Sequence, residues 1–139
     1  MSSTDDLFRL WRQQGTDLNP AASNGALVRL ATMLGEHLPP DLETFYLNAD
    51  GMPDYEMDRW QVIFWSIERI IREKDLVLRG ERHRWAFSDV LIDSWFFRIC
   101  PNGDRTLVFA ESTQELFESL QDFFKAYVDR PDSLGLLTS

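Results

Sequence analysis

The residues best suited to chemistry lie in one short segment, ADGMPDYEMDRW, at positions 49–60. The segment combines four carboxylates with two aromatic rings and an Asp-Gly turn. Closely spaced carboxylates can hold a metal ion, act as an acid–base pair, or attract basic side chains of another protein. The same composition is also typical of a solvated acidic loop that has no partner. Each possibility makes a different demand on the rest of the chain.

A calcium site is the first possibility. Asp54, Glu56 and Asp58 alternate like the first ligands of an EF-hand loop, which also needs Gly at its sixth position and Glu at its twelfth. Those two positions hold Arg59 and Trp65. The segment therefore does not form an EF-hand.

Catalysis and zinc binding would need residues that the chain hardly contains. The histidines are His37 and His83, and Cys100 is the single cysteine. None of them has the paired spacing of a zinc site or belongs to a motif that couples a nucleophile to a base. A carboxylate pair for acid–base chemistry stays open, because 23 acidic residues guarantee some neighbours in any fold. We predict no catalytic residue, no metal and no cofactor.

A docking surface is the remaining functional interpretation of the acidic segment. If the segment is extended, its alternate carboxylates line one face at intervals of about 6–7 Å. Such a ridge would receive Lys or Arg side chains of a partner, with Met52, Tyr55 or Trp60 as an apolar anchor. The predicted partner-binding residues are Asp50, Asp54, Tyr55, Glu56, Asp58 and Trp60.

The overall charge restricts the partner. With 23 acidic and 14 basic side chains the net charge is −9, which repels a nucleic acid backbone and favours a basic protein. A single cysteine cannot form an intramolecular disulfide, as expected in a reducing compartment. The N-terminal residues MSSTDDLFRLWRQQ carry acids where a signal peptide is basic, and no apolar run has the length of a membrane span. We expect a cytoplasmic protein without nucleic acid or membrane partners.

Three predicted helices precede the first strand of the chain. At 139 residues and 44% apolar content, a single domain over residues 1–139 is expected. Ser3 or Thr4 is the predicted cap of the first helix, and the second covers about residues 23–34. The third is predicted from Pro39-Pro40 to Gly51. A strand over 61–65 follows, and Ser66 is suited to cap a short helix after it.

The second half predicts a hairpin and a final helix. Residues 91–110 contain two β-rich runs joined at Asn102-Gly103, a pair that tolerates the positive φ of a tight turn. Trp95 is predicted to share an inward face with Phe97 and Ile99, so we expect it to be buried. We also expect Trp65 to be buried. Ser112 and Glu115 form a capping-box pattern, which predicts the start of the C-terminal helix. The fold class that follows is α+β, with N-terminal helices and a C-terminal helix packed around a mainly antiparallel sheet.

The order of these motifs resembles the SUKH superfamily, which includes many bacterial immunity proteins and the Smi/Knr-type fungal cell-wall assembly regulators. The similarity covers about residues 20–128. The residues that carry it are Glu36, Leu38-Pro39, Asp41, Leu42, Phe45, Asp50-Gly51, Phe64-Trp65-Ser66 and Ile70. Asp50 departs from the family, which often has Asn at that turn.

This resemblance implies a binding protein and not an enzyme. Bacterial relatives act in the cytoplasm by binding and blocking a toxin, often a nuclease, and a basic nuclease surface would attract an acidic protein. An intracellular regulatory or scaffold protein that binds an endogenous partner is the alternative. An enzyme or small-ligand protein would instead require a pocket into which His37 or His83 and a carboxylate face.

Overall fold

The computed structural model describes residues 2–35, 37–75, 84–91 and 94–136. These residues form helices and a single antiparallel sheet, in which the strands neighbour one another in the order of the chain. The helices are α1 (Ser3–Gln14), α2 (Asn24–Leu34), α3 (Pro40–Asn48), α4 (Ile67–Arg72) and α5 (Leu120–Asp129), followed by a 3₁₀ turn (Pro131–Leu134). The strands are β1 (Val62–Phe64), β2 (Trp85–Val90), β3 (Trp95–Asn102), β4 (Arg105–Ala110) and β5 (Glu115–Phe117). The predicted α+β class is confirmed.

Serine side chains start most of the helices. The hydroxyl of Ser66 accepts the amide of Arg69, as the sequence predicts, and Ser23 caps α2 in the same way. The first helix begins earlier than predicted, because Ser2 is its cap and accepts the amide of Asp5. Each cap satisfies an amide that has no partner within its helix.

Gly51 has a different role from the predicted helix end. The third helix already ends at Asn48. Gly51 has φ +65°, and a Cβ on it would lie 2.5 Å from the carbonyl oxygen of Trp65 and 2.6 Å from that of Phe64. Glycine is therefore required where the chain after α3 passes directly against β1.

The β3–β4 hairpin is confirmed, with two corrections. Asn102 pairs with Arg105, so the turn consists of Gly103 and Asp104, and only Gly103 takes a positive φ. Trp95 is 47% exposed and not buried, although Phe97 and Ile99 on the same strand are in the core. It is the first residue of β3, opposite Val90 at the end of β2, so its ring lies at the margin of the core. Trp65 is fully buried, as predicted.

The capping-box prediction is wrong. Glu115 belongs to β5 and pairs with Ala110 of β4, while the hydroxyl of Ser112 donates to the carbonyl of Leu134. The last helix starts at Leu120, with Ser119 as its cap. The apolar spacing of Leu116, Phe117, Leu120, Phe123, Phe124 and Tyr127 predicts one buried helical stripe. The last four are buried on this helix, whereas Leu116 and Phe117 belong to β5.

The sequence also did not indicate β2. All six residues of this strand are buried, so it lacks the alternation that marks a half-exposed strand, and it contains a bulge between Ala86 and Ser88. The alternating charges of residues 68–85 predict a solvated helix and loop. The helix is present as α4, but Arg69 and Ile70 are buried in it, Trp85 belongs to β2, and residues 76–83 lie outside the described part. His83 and Glu36 also lie outside it.

Aromatic rings join the sheet to the helices. Phe64 of β1 contacts Trp11 of α1 at 5.0 Å and Tyr127 of α5 at 5.3 Å between ring centroids. It also contacts Phe87, Phe123 and Phe124. These contacts fix β1, and with it the segment that precedes it.

Candidate functional site: the loop beside β1

Residues 50–61, here called the β1 loop, connect α3 to β1. The start of the loop is held by Asn19 and Pro20, which lie before α2. The amide of Asp50 donates to Pro20, and Asn19 bonds the carbonyls of both Asp50 and Gly51, all at 2.9 Å. The carboxylate of Asp50 accepts the amide of Ile67 at the start of α4. Burial raises the pKa of Asp50, and the bond from Ile67 acts in the opposite direction.

The loop also closes the outer edge of β1. The amide of Met52 donates to the carbonyl of Phe64 at 2.7 Å, and the amide of Phe64 lies 3.4 Å from the sulfur of Met52. The amide of Asp58 donates to Val62, whose own amide donates back to the Asp58 carboxylate. Met52 is fully buried, so its prediction as an exposed anchor is wrong.

Asp58 is an internal residue. Only 6% of it is exposed, and its carboxylate accepts hydrogen bonds from the Trp11 indole at 3.0 Å and from the Tyr127 hydroxyl. The amides of Trp60 and Val62 add bonds of 2.9 and 3.1 Å. Burial raises the pKa of Asp58, while these four donors lower it. The carboxylate holds the loop to α1 and α5 and points into the protein.

The predicted acidic ridge does not form. The chain turns at Tyr55, where φ is +68°, so the carboxylates do not alternate along an extended strand. Asp54 is paired with Arg72 at 2.9 Å, and Asp58 points inward. Glu56 is exposed and makes no ion pair with any residue that the structure describes. Sequence spacing alone could not reveal the turn.

A buried cation supports the loop from α4. The guanidinium of Arg69, with 4% of its side chain exposed, bonds Glu73 at 2.8 Å and lies 3.4 Å from the carboxylate of Asp89. It stacks over Trp65 at 4.4 Å and lies 5.8 Å from the ring centre of Tyr55. Burial lowers the pKa of Arg69, but the bond to Glu73 and the charge of Asp89 outweigh it and raise the pKa. Tyr55 is thus placed beside a fixed positive charge.

The middle of the loop is the part that faces solvent. Tyr55 is 70% exposed and Met57 is 40% exposed. Leu91, which follows β2, is 40% exposed, and its amide donates to the carbonyl of Gln61 at the end of the loop at 2.9 Å. Trp95 lies one strand further along the sheet, opposite Val90. Sequence reasoning missed Met57 and Leu91, because exposure of an apolar residue depends on strand pairings that no local pattern shows.

Trp60, the last predicted contact residue, is half-buried. Its indole nitrogen is enclosed and has no hydrogen-bond partner among the described residues. Tyr55 and Glu56 are therefore the predicted residues that are both exposed and free of an ion pair within the described ranges. Whether any of the six contacts a partner stays a prediction.

The residues considered for chemistry are scattered. His37 is exposed, and Cys100 is half-buried on β3. Within the described ranges, no group of three or more His, Cys, Asp and Glu side chains is placed to hold a metal ion. Nor does any helix of those ranges have the length and apolarity needed to cross a membrane.

Comparisons with known proteins do not assign this chain to a family. No protein-family model matches the chain, and a search of curated proteins found no match. The similarity to the SUKH superfamily therefore rests on the motifs quoted above.

Proposed function

We propose that this protein is a non-enzymatic binding protein whose β1 loop contacts another protein. The observation that carries the proposal is the exposure of Tyr55 and Met57, 70% and 40%, on a loop fixed on both sides. Hydrogen bonds of Asp50 and Asp58 hold the two ends of the loop. A loop that is already ordered loses little entropy on binding, and an exposed Tyr is a residue type enriched at energetically dominant contacts.

The charge favours a basic partner. The net charge of −9 attracts a positively charged surface at long range, which raises the association rate. At the contact itself Glu56 supplies a carboxylate without an internal ion pair in the described structure, whereas Asp54 is neutralised by Arg72. Apolar side chains therefore provide the contact area, and charge provides steering that salt weakens.

The resemblance to SUKH immunity proteins suggests which partner this is. We propose a cytoplasmic immunity protein that binds a basic toxin domain, for example a nuclease, and covers its substrate-binding surface. No bond is made or broken in this mechanism. The same surface would serve a regulatory or scaffold protein, and the identity of the partner distinguishes the two.

The test is differential capture with matched variants. The wild-type protein and a Tyr55→Ala/Met57→Ala variant are immobilised, and lysate of the source organism is passed over both at low and high salt. A Val28→Ala/Leu47→Ala variant is the control, because those apolar residues are 64% and 48% exposed on α2 and α3. A protein retained by wild type and control, but not by the loop variant, is then expressed alone and together with the wild type.

The expected partner is basic, is held more weakly at high salt, stops growth when expressed alone, and is harmless when co-expressed. Equal retention by the loop variant would contradict the site. A non-toxic endogenous protein with loop-dependent retention would support the regulatory or scaffold alternative instead.

A further inference from the structure

The two edges of the sheet differ in how they are closed. At the β1 edge, the backbone groups of Val62 and Phe64 that point outward are all hydrogen-bonded to Met52 and Asp58 of the loop. The opposite edge is β5, a strand of three residues. A strand edge without such cover presents free amides and carbonyls to any other extended chain.

The pairing pattern shows which groups of β5 are free. In an antiparallel pair, residues alternate between those bonded to the neighbouring strand and those that point away from it. Glu111 donates to Phe96 on the β3 side of β4, whereas the amide of Thr106 points to the other side, where it meets Asp41. Because backbone groups alternate in direction along a strand, those of Val108 and Ala110 point the same way as those of Thr106. Val108 and Ala110 are therefore the residues of β4 that bond to β5.

Leu116 therefore turns its amide and carbonyl outward. Its cross-strand neighbour is Phe109, which lies between the two bonded pairs of this ladder. The side chain of Leu116 is 49% exposed on the sheet face that carries Phe109. No described residue outside the β4–β5 ladder bonds to its backbone. Asp41 covers the next stretch of the edge, with bonds to Thr106 and to the amide of Leu120.

A groove runs beside this edge. It has a volume of about 370 Å³ and lies between β5 and α5. Its basic residues are already paired, Lys125 with Asp129 at 3.0 Å and Arg130 with Glu115 at 3.4 Å. Asp122 also lines the groove and makes no ion pair with a described residue. The groove thus carries one negative charge that is not balanced.

We propose that the β5 edge accepts an extended segment of a partner protein as a sixth strand, in which basic and apolar side chains alternate. Backbone bonds to Leu116 would hold this segment in the manner of strand addition. Side chains on its α5 side would face Asp122, which favours Lys or Arg. Those on its other side would lie beside Leu116 and Phe109, which favours apolar residues. A second copy is disfavoured, because each chain carries a net charge of −9.

This site lies on the edge opposite the β1 loop and does not depend on the proposed function. The probe is a blocked heptapeptide of alternating Lys and Val, titrated into isotope-labelled protein while amide resonances are followed by NMR. We expect saturable shifts at residues 115–118 and none at residues 62–64. N-methylation of the peptide at alternate residues removes its strand-forming donors, and we expect about tenfold weaker binding.

A protein variant supplies the second readout. Leu116→Pro removes the outward amide without removing a β4–β5 hydrogen bond, and Pro is tolerated on edge strands. We again expect about tenfold weaker binding. If the variant fails to fold, the N-methylated peptide still tests the proposal on the wild-type protein.

Four results would overturn the proposal. The first is the absence of saturable shifts at β5, and the second is equal binding of the N-methylated peptide. The third is equal binding of a peptide with all Lys before all Val, since that would show attraction by charge alone. The fourth is a wild-type dimer in sedimentation that Leu116→Pro dissociates, which would make the occupant a second copy.

Discussion

The indole N–H of Trp11 donates to the carboxylate of Asp58 at 3.0 Å, across 47 residues of sequence. The hydroxyl of Tyr127 donates to the same oxygen. One buried carboxylate therefore joins α1, α5 and the β1 loop. The exposed positions of Tyr55 and Met57 depend on this junction, because Asp58 is the residue that returns the loop to β1.

Asp58→Ala should destabilise the fold strongly. The substitution leaves buried donors of Trp11, Tyr127 and Val62 without an acceptor, and each such donor costs about 1–3 kcal/mol. We expect the free energy of unfolding to fall by about 3 kcal/mol or more, measured by urea denaturation. Glu56→Ala, an exposed change in the same loop, should stay within about 0.5 kcal/mol of wild type. Similar losses for the two variants would contradict the role of Asp58.

Asp58 should also make stability depend on pH. Burial raises its pKa in the folded state, so the folded protein binds more protons than the unfolded chain between the two pKa values. The free energy of unfolding of wild type should fall relative to Asp58→Asn as pH rises from about 4 through the folded-state pKa, and the difference should then become constant. Asp50 remains in both proteins and cancels. Urea unfolding at steps of pH measures this, and a difference that is flat or grows with pH would refute it.

Gly51→Ala and Gly103→Ala form a matched pair. Both glycines have positive φ, +65° and +62°, but a Cβ at Gly51 meets the carbonyl of Trp65 at 2.5 Å, whereas at Gly103 nothing lies within 4 Å. Gly103→Ala should cost about 1–2 kcal/mol from backbone strain alone. Gly51→Ala should cost clearly more, because the loop must move away from β1. Thermal unfolding compares the two, and equal shifts in melting temperature would argue against close contact at Gly51.

Arg69→Met should destabilise the protein by about 3 kcal/mol, because it leaves the buried carboxylate of Asp89 without this cation. Arg72→Met is the control, since Arg72 has 52% of its side chain exposed in its pair with Asp54 and should lose less than about 1 kcal/mol. Adding Asp89→Asn to Arg69→Met should restore part of the loss, as urea denaturation would show. If the double variant shows no recovery, the loss of stability in Arg69→Met does not come from the unpaired carboxylate of Asp89.

The features that sequence predicted are those set by neighbours in the chain. Ser66 caps α4 through an amide three residues away, and Phe97 and Ile99 alternate inward along β3. The failures come from distant partners. Ser112 and Glu115 have capping-box spacing, but Glu115 pairs with Ala110 in the sheet. Asp58 belongs to an acidic segment, yet its surroundings come from Trp11 and Tyr127, which lie 47 and 69 residues away.

In the candidate site, too, the local features were predictable from sequence and the contacts with distant residues were not. Tyr55 and Glu56 are exposed, in agreement with a polar loop, whereas the turn at Tyr55 and the pairing of Asp54 with Arg72 required the tertiary structure. Trp95 was expected inside because strands alternate. Its position at the start of β3, opposite the last residue of β2, decides otherwise.

Calorimetric titration of the captured toxin domain measures whether the β1 loop binds it, as proposed. The captured domain is titrated with wild type, with Tyr55→Ala/Met57→Ala, and with the control Val28→Ala/Leu47→Ala. We expect the loop variant to bind at least about 30-fold more weakly, a loss of about 2 kcal/mol or more, and the control to bind like wild type. Unchanged affinity in a folded loop variant would contradict it.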